Sequence, residues 1–346
     1  VSARVLGVDI GSSAVRVAEV EVRQKGRATG VLRAFGSANL PPNVVHAGSV
    51  VDSAALGAAI RHAVSAAGAR CRTAIVGIGA PSIAARELTL PQMPLAEARR
   101  SLGFHVDDVL PMPADEAVLD FYPTSGDEVD SRPVMNGILV AVSKAMVTQV
   151  LEATDKAGLD LKAIDLSAFA IYRALSDGGT DSKTVAFVDL GARVTTVAVY
   201  SRGTPRVIRH LDGGTLSITD GIASSLGIPF DDAYNAFHGI VVAGLTNEAI
   251  AAIRSQTDAL FDGIRQTIQY YGGGGRVEPI AEIVLTGGGS MVPNLPQALA
   301  STSRLPVSLG DVLSHVTPMA RIDKGKLEAS RPLLAAAIGL TLRETP

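Results

Sequence analysis

Asp9 and Asp189 each close an apolar run and stand just ahead of a glycine, in Val8-Asp9-Ile10-Gly11 and Val188-Asp189-Leu190-Gly191. A carboxylate beside a glycine that permits close backbone approach suits a phosphate group and a divalent cation. At the first turn, Ser12 and Ser13 add hydroxyls that, with nearby backbone N–H groups, can donate to phosphate oxygens. Both aspartates are expected as carboxylates at neutral pH. Direct contact with a triphosphate would be repulsive, so their expected role is to hold a hydrated Mg2+ between protein and nucleotide. Gly213-Gly214-Thr215, ahead of a helical pattern, is a further candidate anion contact, because helix N-termini favour negative charge. Its alternative is a plain strand-to-helix connection capped by Thr215. The run Gly287-Gly288-Gly289-Ser290 reads either as a ligand-contacting turn or as a tight structural link.

One Asp-x-Gly turn is a weak signal; its recurrence about 180 residues later suggests two related lobes. Strands are expected over residues 4–10 and 14–22, joined by Gly11-Ser12-Ser13, then over 28–38 after a polar turn at 24–26. A helix capped by Asp52 or Ser53 buries Leu56, Ala59, Ile60 and Val64. Ala74–Ile78 is a buried strand. Between residues 83 and 163 the rhythm changes. Strands at 83–90, 117–122 and 135–143 mix with helices at 96–104 and 144–157, punctuated by Pro91, Pro94, Pro111 and Pro113. The opening plan then returns, with strands at 185–189, 195–200 and 205–210 and a helix at 216–225. A long amphipathic helix at 247–271, with a break expected near Asp258, stops before Gly272–Gly275. A buried strand at 283–286 follows. The apolar tail at 333–342 is expected as a helix packed on a sheet.

Composition narrows the function. The chain has 346 residues, enough for two cores, with 47% hydrophobic residues and no tryptophan. Its 31 Lys and Arg against 34 Asp and Glu argue against nucleic-acid binding, which needs concentrated basic charge. The single cysteine, Cys71, suits a reducing compartment. No signal peptide or membrane-spanning run is read, so a cytoplasmic protein is expected. The six histidines show no metalloprotease spacing and no ligand cluster.

These features together resemble the actin-like ATPase superfamily, whose two lobes, each with a ribonuclease-H-like sheet, clasp a nucleotide. Val8–Arg16, Val188–Thr196 and Ile283–Ser290 are similar to its first phosphate, second phosphate and adenosine motifs. Within it the chain resembles the PilM family of type IVa pilus assembly proteins and, beyond that, the division protein FtsA. Phe104–Pro113 and Ala117–Phe121 carry the PilM-like resemblance. The fold implied is α/β and bilobed, with a small inserted FtsA/PilM-type subdomain. The expected division is a first lobe over 1–82, an inserted interaction subdomain over 83–163 and an interlobe helix and return over 164–184. A second lobe over 185–332 and a C-terminal helix over 333–346 complete it.

The resemblance implies ATP or ADP with Mg2+. Asp9, Gly11, Ser12, Ser13, Asp189 and Gly191 would stand at the phosphates and metal, with Gly213 and Gly214 as further contacts. Arg265, Gly288, Gly289 and Ser290 would approach the adenosine. Thr195 and Thr196 could each contact phosphate or be ordinary strand residues, Thr195 being the favoured contact. Arg16 stands where the family commonly carries Lys, and either faces the cleft or sits as a charged residue at a strand edge. Ser167 stands where an acidic residue is common, so hydrolysis is expected to be slow or absent.

The resemblance also implies a partner, the cytoplasmic N-terminal peptide of PilN. It would be held as an extended segment between the first lobe and the insert, near 83–90 and 104–112. Recruitment to the inner face of the cytoplasmic membrane, communication with pilus motor ATPases, and a monomer or weak oligomer follow from the same resemblance. The alternatives are a GspL-like secretion domain, an FtsA-like division protein and a small-molecule kinase. No acceptor pocket or general base for a kinase is identified, and the ending Arg343-Glu344-Thr345-Pro346 reads as a short tail.

Overall fold

The computed structural model of the protein describes residues 2–23, 27–106, 110–239, 246–273 and 278–343. The turn expected at 24–26, residues 107–109 of the Phe104–Pro113 segment, Gly274-Gly275 and residues 344–346 lie outside the described residues.

Strands β1 (Ser2–Ile10) and β2 (Ala14–Arg23) form an antiparallel hairpin in which Asp9 lies opposite Arg16. β3 (Thr29–Asn39) continues the meander, and a two-residue-per-strand hairpin, β4 (Val45–His46) and β5 (Ser49–Val50), follows. Helix α1 (Ser53–Ala67) starts at Asp52, whose carboxylate accepts the Ala54 and Ala55 N–H groups. It ends at Gly68, whose φ of 64° a side chain would resist. β6 (Thr73–Ile78) then runs parallel to β1.

The insert is a three-stranded antiparallel sheet of β7 (Ala84–Pro91), β8 (Ala117–Val129) and β9 (Arg132–Ser143), with α2 (Leu95–Ser101) against it. It has its own small core around Leu90, Leu102, Phe121 and Leu139. β8 runs to Val129, well past Tyr122, because β9 pairs with it through a register shift at Pro123 and Ser125.

Helix α3 (Lys144–Lys156) packs on α1 closely enough that a methyl at Gly57 would lie 2.8 Å from the Ala153 carbonyl oxygen. β10 (Asp160–Leu166), not anticipated as a strand, pairs in parallel with β6. The insert's sheet thus ends at Ser143, and the following residues return to the first sheet. Helix α4 (Ser167–Leu175) leads into the second half.

There, β11 (Thr184–Leu190), β12 (Val194–Ser201) and β13 (Thr204–Asp212) repeat the meander. α5 (Thr215–Leu226), α6 (Phe230–Phe237) and α7 (Asn247–Gly272) follow, and α7 is unbroken at Asp258. β14 (Glu282–Thr286) runs parallel to β11 as β6 does to β1. The chain closes with α8 (Leu295–Ser303), β15 (Val307–Leu309), β16 (Val316–Pro318), α9 (Lys324–Ser330) and α10 (Ala335–Thr341).

Two large sheets result, ordered β10-β6-β1-β2-β3-β16 and β13-β12-β11-β14-β15. In each, one central strand has an antiparallel neighbour after the Asp-x-Gly turn and a parallel neighbour on its other side. β16 carries a late stretch of chain back to the first sheet, beside β3. Helix α10, wholly buried, wedges between β1 and α4. Gly7 and Gly339 make the wedge feasible, since a methyl at either would strike the carbonyl of Ala337 or Ala170.

Candidate functional site

Because β1 and β11 occupy equivalent places in the two sheets, their C-terminal ends bring Asp9 and Asp189 to one cleft. Both line a cavity of 340 Å3 with Gly11, Ser12, Ser13, Arg16, Gly191 and Gly288. That volume sits at the low end of the roughly 300–1,000 Å3 usual for small-molecule sites.

Each turn is closed by one backbone hydrogen bond, Gly11 N–H to the Ala14 carbonyl at 3.1 Å and Gly191 N–H to that of Val194 at 3.2 Å. A methyl at Gly11 would lie 2.9 Å from the Ala14 oxygen, and one at Gly191 2.6 Å from the Val194 oxygen. Only glycine closes these turns without displacement. Gly287, at φ 83°, brings the third glycine run against the second aspartate, where a methyl would strike the Asp189 carboxylate.

The electrostatics suit a cation. Burial raises the Asp9 carboxyl, opposed by the Arg16 guanidinium and a hydrogen bond with Ser167. Asp189 is pushed up to about 7 by burial first and by Asp9 second, with Arg16 opposing. Two half-buried carboxylates therefore share one arginine, and a divalent ion between them would relieve the excess negative charge. Oxygen donors on a glycine cradle fit Mg2+. Among the described residues no group of three or more His, Cys, Asp or Glu could hold a metal, so such an ion would complete its shell from phosphate and water.

Six other expected site residues lie elsewhere. Thr195 is fully buried on the opposite face of β12 and donates to the Gly213 carbonyl at 2.9 Å; Thr196 faces the cavity. Gly213 and Gly214 brace the second turn from behind, the Gly213 N–H reaching the Arg193 carbonyl. Gly214 occupies the cap position of α5, and Thr215 begins the helix. The Thr215 and Leu216 N–H groups bind the carbonyls of Gly191 and Ala192, so this helix end holds the turn itself. Gly289 packs on Leu190, while Ser290 donates to the Gly287 carbonyl at 2.7 Å. Arg265 stands on the outer side of α7, paired with Asp262 at 2.9 Å.

The cavity also gathers residues that no motif announces. Ser167, at the start of α4, lines it and bonds Asp9. Behind Ser167 and Gly79 lies His210, its Nδ1 3.0 Å from the Thr196 hydroxyl. Burial lowers this imidazole to about 4, so it is neutral at pH 7. Tyr234 of α6 and His238, just past its end, stack at 3.8 Å and line the wall with Leu216 and Met291. Their spacing of one helical turn was the available clue.

A second cavity, of 910 Å3, opens between the insert and the first sheet. Val118 and Tyr122 of β8 face Ile164 and Leu166 of β10, with Phe169 and Arg173 of α4 along the floor. Both β8 and β10 are edge strands of their sheets. The segments expected to line such a groove, 83–90 and 104–112, do not contribute to its lining among the described residues. No described helix is long and apolar enough to cross a membrane.

Comparison with known proteins places this architecture. A solved structure described as a PilM-PilN type IV pilus biogenesis complex superposes with a TM-score of 0.84 at 25% identity, covering 98% of both chains. MreB5 of Spiroplasma citri bound to ADP has a TM-score of 0.53 at 12% identity, covering 97% of this chain and 94% of that one. That likeness speaks to the fold, which is bilobed and actin-like. Cell division protein FtsA of Bacillus subtilis is 24% identical over 252 residues, 66% of this chain and 56% of FtsA. The chain thus spans about half the length of the curated relatives it matches. The sequence model of the family described as type IV pilus assembly protein PilM matches residues 7–345, and the chain belongs to that family.

Proposed function

We propose that the protein binds ATP or ADP with Mg2+ in the interlobe cleft and captures the cytoplasmic N-terminal peptide of a PilN-like membrane protein in the groove. The observation that carries the first half is the convergence of Asp9 and Asp189, from equivalent strands of two sheets, on one glycine-walled cavity. Asp9 and Asp189 would hold the metal, with waters between. Ser12 and Ser13 would present donors to phosphate oxygens, Gly11 and Gly191 would let the backbone approach closely, and Arg16 would neutralise charge beside them. Gly288 and the Tyr234–His238 stack would flank the base and sugar, in place of Arg265. When bound, Mg2+ supplies charge neutralisation at the phosphates.

Hydrolysis is slow or negligible on this reading. A hydrolytic site needs a group to orient water and accept its proton. Ser167 offers only a hydroxyl, already bonded to Asp9, and the nearby neutral His210 is screened from the cavity. The nucleotide's role is to set how the lobes close.

The groove supports the second half. An extended peptide can add to a free sheet edge through backbone hydrogen bonds while its side chains fill apolar pockets. Here two free edges, β8 and β10, meet over the aromatic pair Tyr122 and Phe169, stacked at 5.0 Å. Capture of such a tail would place the protein at the inner face of the cytoplasmic membrane. The proposed division is two lobes on the two large sheets, with the interaction subdomain on the β7-β9-β8 sheet.

Calorimetry tests both halves. ATP and ADP are expected to bind with micromolar affinity in Mg2+ and at least tenfold more weakly in EDTA. A synthetic PilN N-terminal peptide from the same organism is expected to bind at one site. Heats of dilution alone in either titration would remove that half of the reading.

A further inference from the structure

The end of the first sheet remote from Asp9 concentrates basic charge. Residues 1–82 hold nine Lys and Arg against four Asp and Glu, whereas residues 83–143, which span the insert, hold four against ten. The net charge of -3 conceals that separation. Four arginines, Arg4, Arg23, Arg70 and Arg72, gather where strands begin or end. Arg23 closes β2, and its backbone partner is Ser2 at the start of β1, two residues from Arg4. Ala74 of β6 pairs with Leu6, so Arg72 comes level with Arg4 on the neighbouring strand. The Arg72 carbonyl accepts the Asp160 N–H at 2.7 Å, which ties the start of β10 to the same row. Neighbouring strands lie about 4.8 Å apart, so the row from β2 to β10 spans about 15 Å.

These guanidinium groups are available to a partner. All four arginines are exposed, and none forms an ion pair among the described residues. The carboxylates nearby are occupied. Glu19 accepts the Arg70 and Cys71 N–H groups at 2.6 and 3.1 Å, Glu21 pairs with Arg33 at 2.6 Å, and Asp160 with Lys162 at 2.9 Å. The Glu19 bonds fix the chain between α1 and β6. There Cys71 packs against the first-lobe core and leaves Arg70 and Arg72 exposed on either side. Guanidinium forks on a fixed backbone suit phosphodiester oxygens. Among the described residues, no exposed aromatic ring stands on this row for a base to stack on, which disfavours single-stranded nucleic acid. The groove reaches the same end of the lobe, since Arg27 and Ala28, shortly after β2, belong to its lining.

We propose that this row of arginines docks on the anionic phospholipid headgroups of a bilayer. The proposal goes beyond the nucleotide and peptide reading and draws on it in one respect: a captured tail of a membrane protein brings the adjoining face to the bilayer. Each basic residue close to an anionic surface raises partitioning about fivefold. That attraction fades within a Debye length, so it acts only on charges that share one face. The acidic insert does not cancel it. The six residues of β6 lead from the row toward the insert and, at about 3.3 Å each, set it about 20 Å away. Screening takes over at about 10 Å.

Vesicle flotation of the full chain, without nucleotide or peptide, is the test. Binding is expected to vesicles of phosphatidylcholine with one-third phosphatidylglycerol and not to phosphatidylcholine alone. It is expected to weaken at least tenfold between about 0.05 and about 0.5 M salt. The triple variant Arg4→Gln, Arg70→Gln, Arg72→Gln is expected to lose at least tenfold in partitioning and to bind the PilN peptide as the wild type does. A control with the same change in charge, Arg254→Gln, Lys324→Gln, Lys326→Gln, alters exposed residues that line neither cavity. It is expected to keep vesicle binding within about twofold. A wild type that stays with the buffer, or equal losses in the two triple variants, would overturn the proposal. So would a ribo-oligonucleotide that binds the arginine row when vesicles do not. Self-association in sedimentation that the first triple variant abolishes would assign the row to the acidic insert of a second copy and equally overturn it. Failure of the peptide to bind the wild type brings down the peptide reading alone, because flotation is read without it.

Discussion

Asp189 is where residue chemistry makes the sharpest statement. Its folded pKa of about 7 lies above the ordinary 3.8, so folding favours the protonated carboxyl. That contribution is complete below 3.8 and is lost as pH rises through about 7. Without Mg-nucleotide, the protein should therefore melt about 2–4 °C lower at about pH 8 than at about pH 6. Asp189→Asn should flatten that decline, as thermal scans at both pH values would show. His210 works in the other direction. Its folded pKa of about 4 lies below 6.5, so its contribution is present above 6.5 and lost as pH falls through 4. Cation binding adds a further signature, since an ion entering at pH 6 must displace a proton that is largely absent at pH 8. Mg-nucleotide affinity should accordingly rise about threefold to tenfold over that range.

At the scale of elements, close approach is the controlling feature. Helix α10 fits between β1 and α4 because Gly7 and Gly339 leave room for neighbouring carbonyls. Gly339→Ala gains helix propensity but drives a methyl into the Ala170 backbone. A net loss of about 2–3 kcal/mol is expected in urea unfolding. Gly68→Ala, where no atom lies within 4 Å but φ is 64°, should cost about 1 kcal/mol through backbone strain alone. Elements with a strong local pattern were legible in the sequence: the Asp-x-Gly hairpins, the Asp52 cap and the duplicated strand order all announce themselves. Others depend on tertiary context. β10 reads poorly because, as an edge strand, it buries only Leu166 fully. β8 continues through Pro123 and Gly126 only because β9 lies beside it. The face of β12 was a matter of one residue. Thr195 and Thr196 are chemically equal in the sequence, and the pleat alone sends Thr196 to the cavity. Arg265 shows the same limit on a helix, where an ion pair with Asp262 holds it outside.

For the whole molecule, the duplicated sheets make one cleft and the insert makes a second, larger cavity beside it. The two can be separated experimentally. Val118 on β8 is 43% exposed and lines the groove, far along the chain from either Asp-x-Gly turn. Val118→Arg should weaken the PilN-derived peptide at least tenfold in a fluorescence anisotropy titration while the circular dichroism spectrum stays native. Arg265→Ala should change nucleotide affinity by less than about twofold, since a half-exposed ion pair on an outer helix face contributes little. On the proposed reading, the nucleotide lies between the lobes and the peptide at the edge of the insert, in a chain of the type IV pilus assembly protein PilM family.

The central claim is that the carboxylates of Asp9 and Asp189 jointly hold one Mg-nucleotide between the lobes. It is tested most directly by titrating Mg-ATP into the wild type and the Asp9→Ala, Asp189→Ala double variant by calorimetry. The double variant is predicted to lose at least a hundredfold in affinity and all dependence on Mg2+, with its fold intact. Equal affinity in the two proteins would contradict the account.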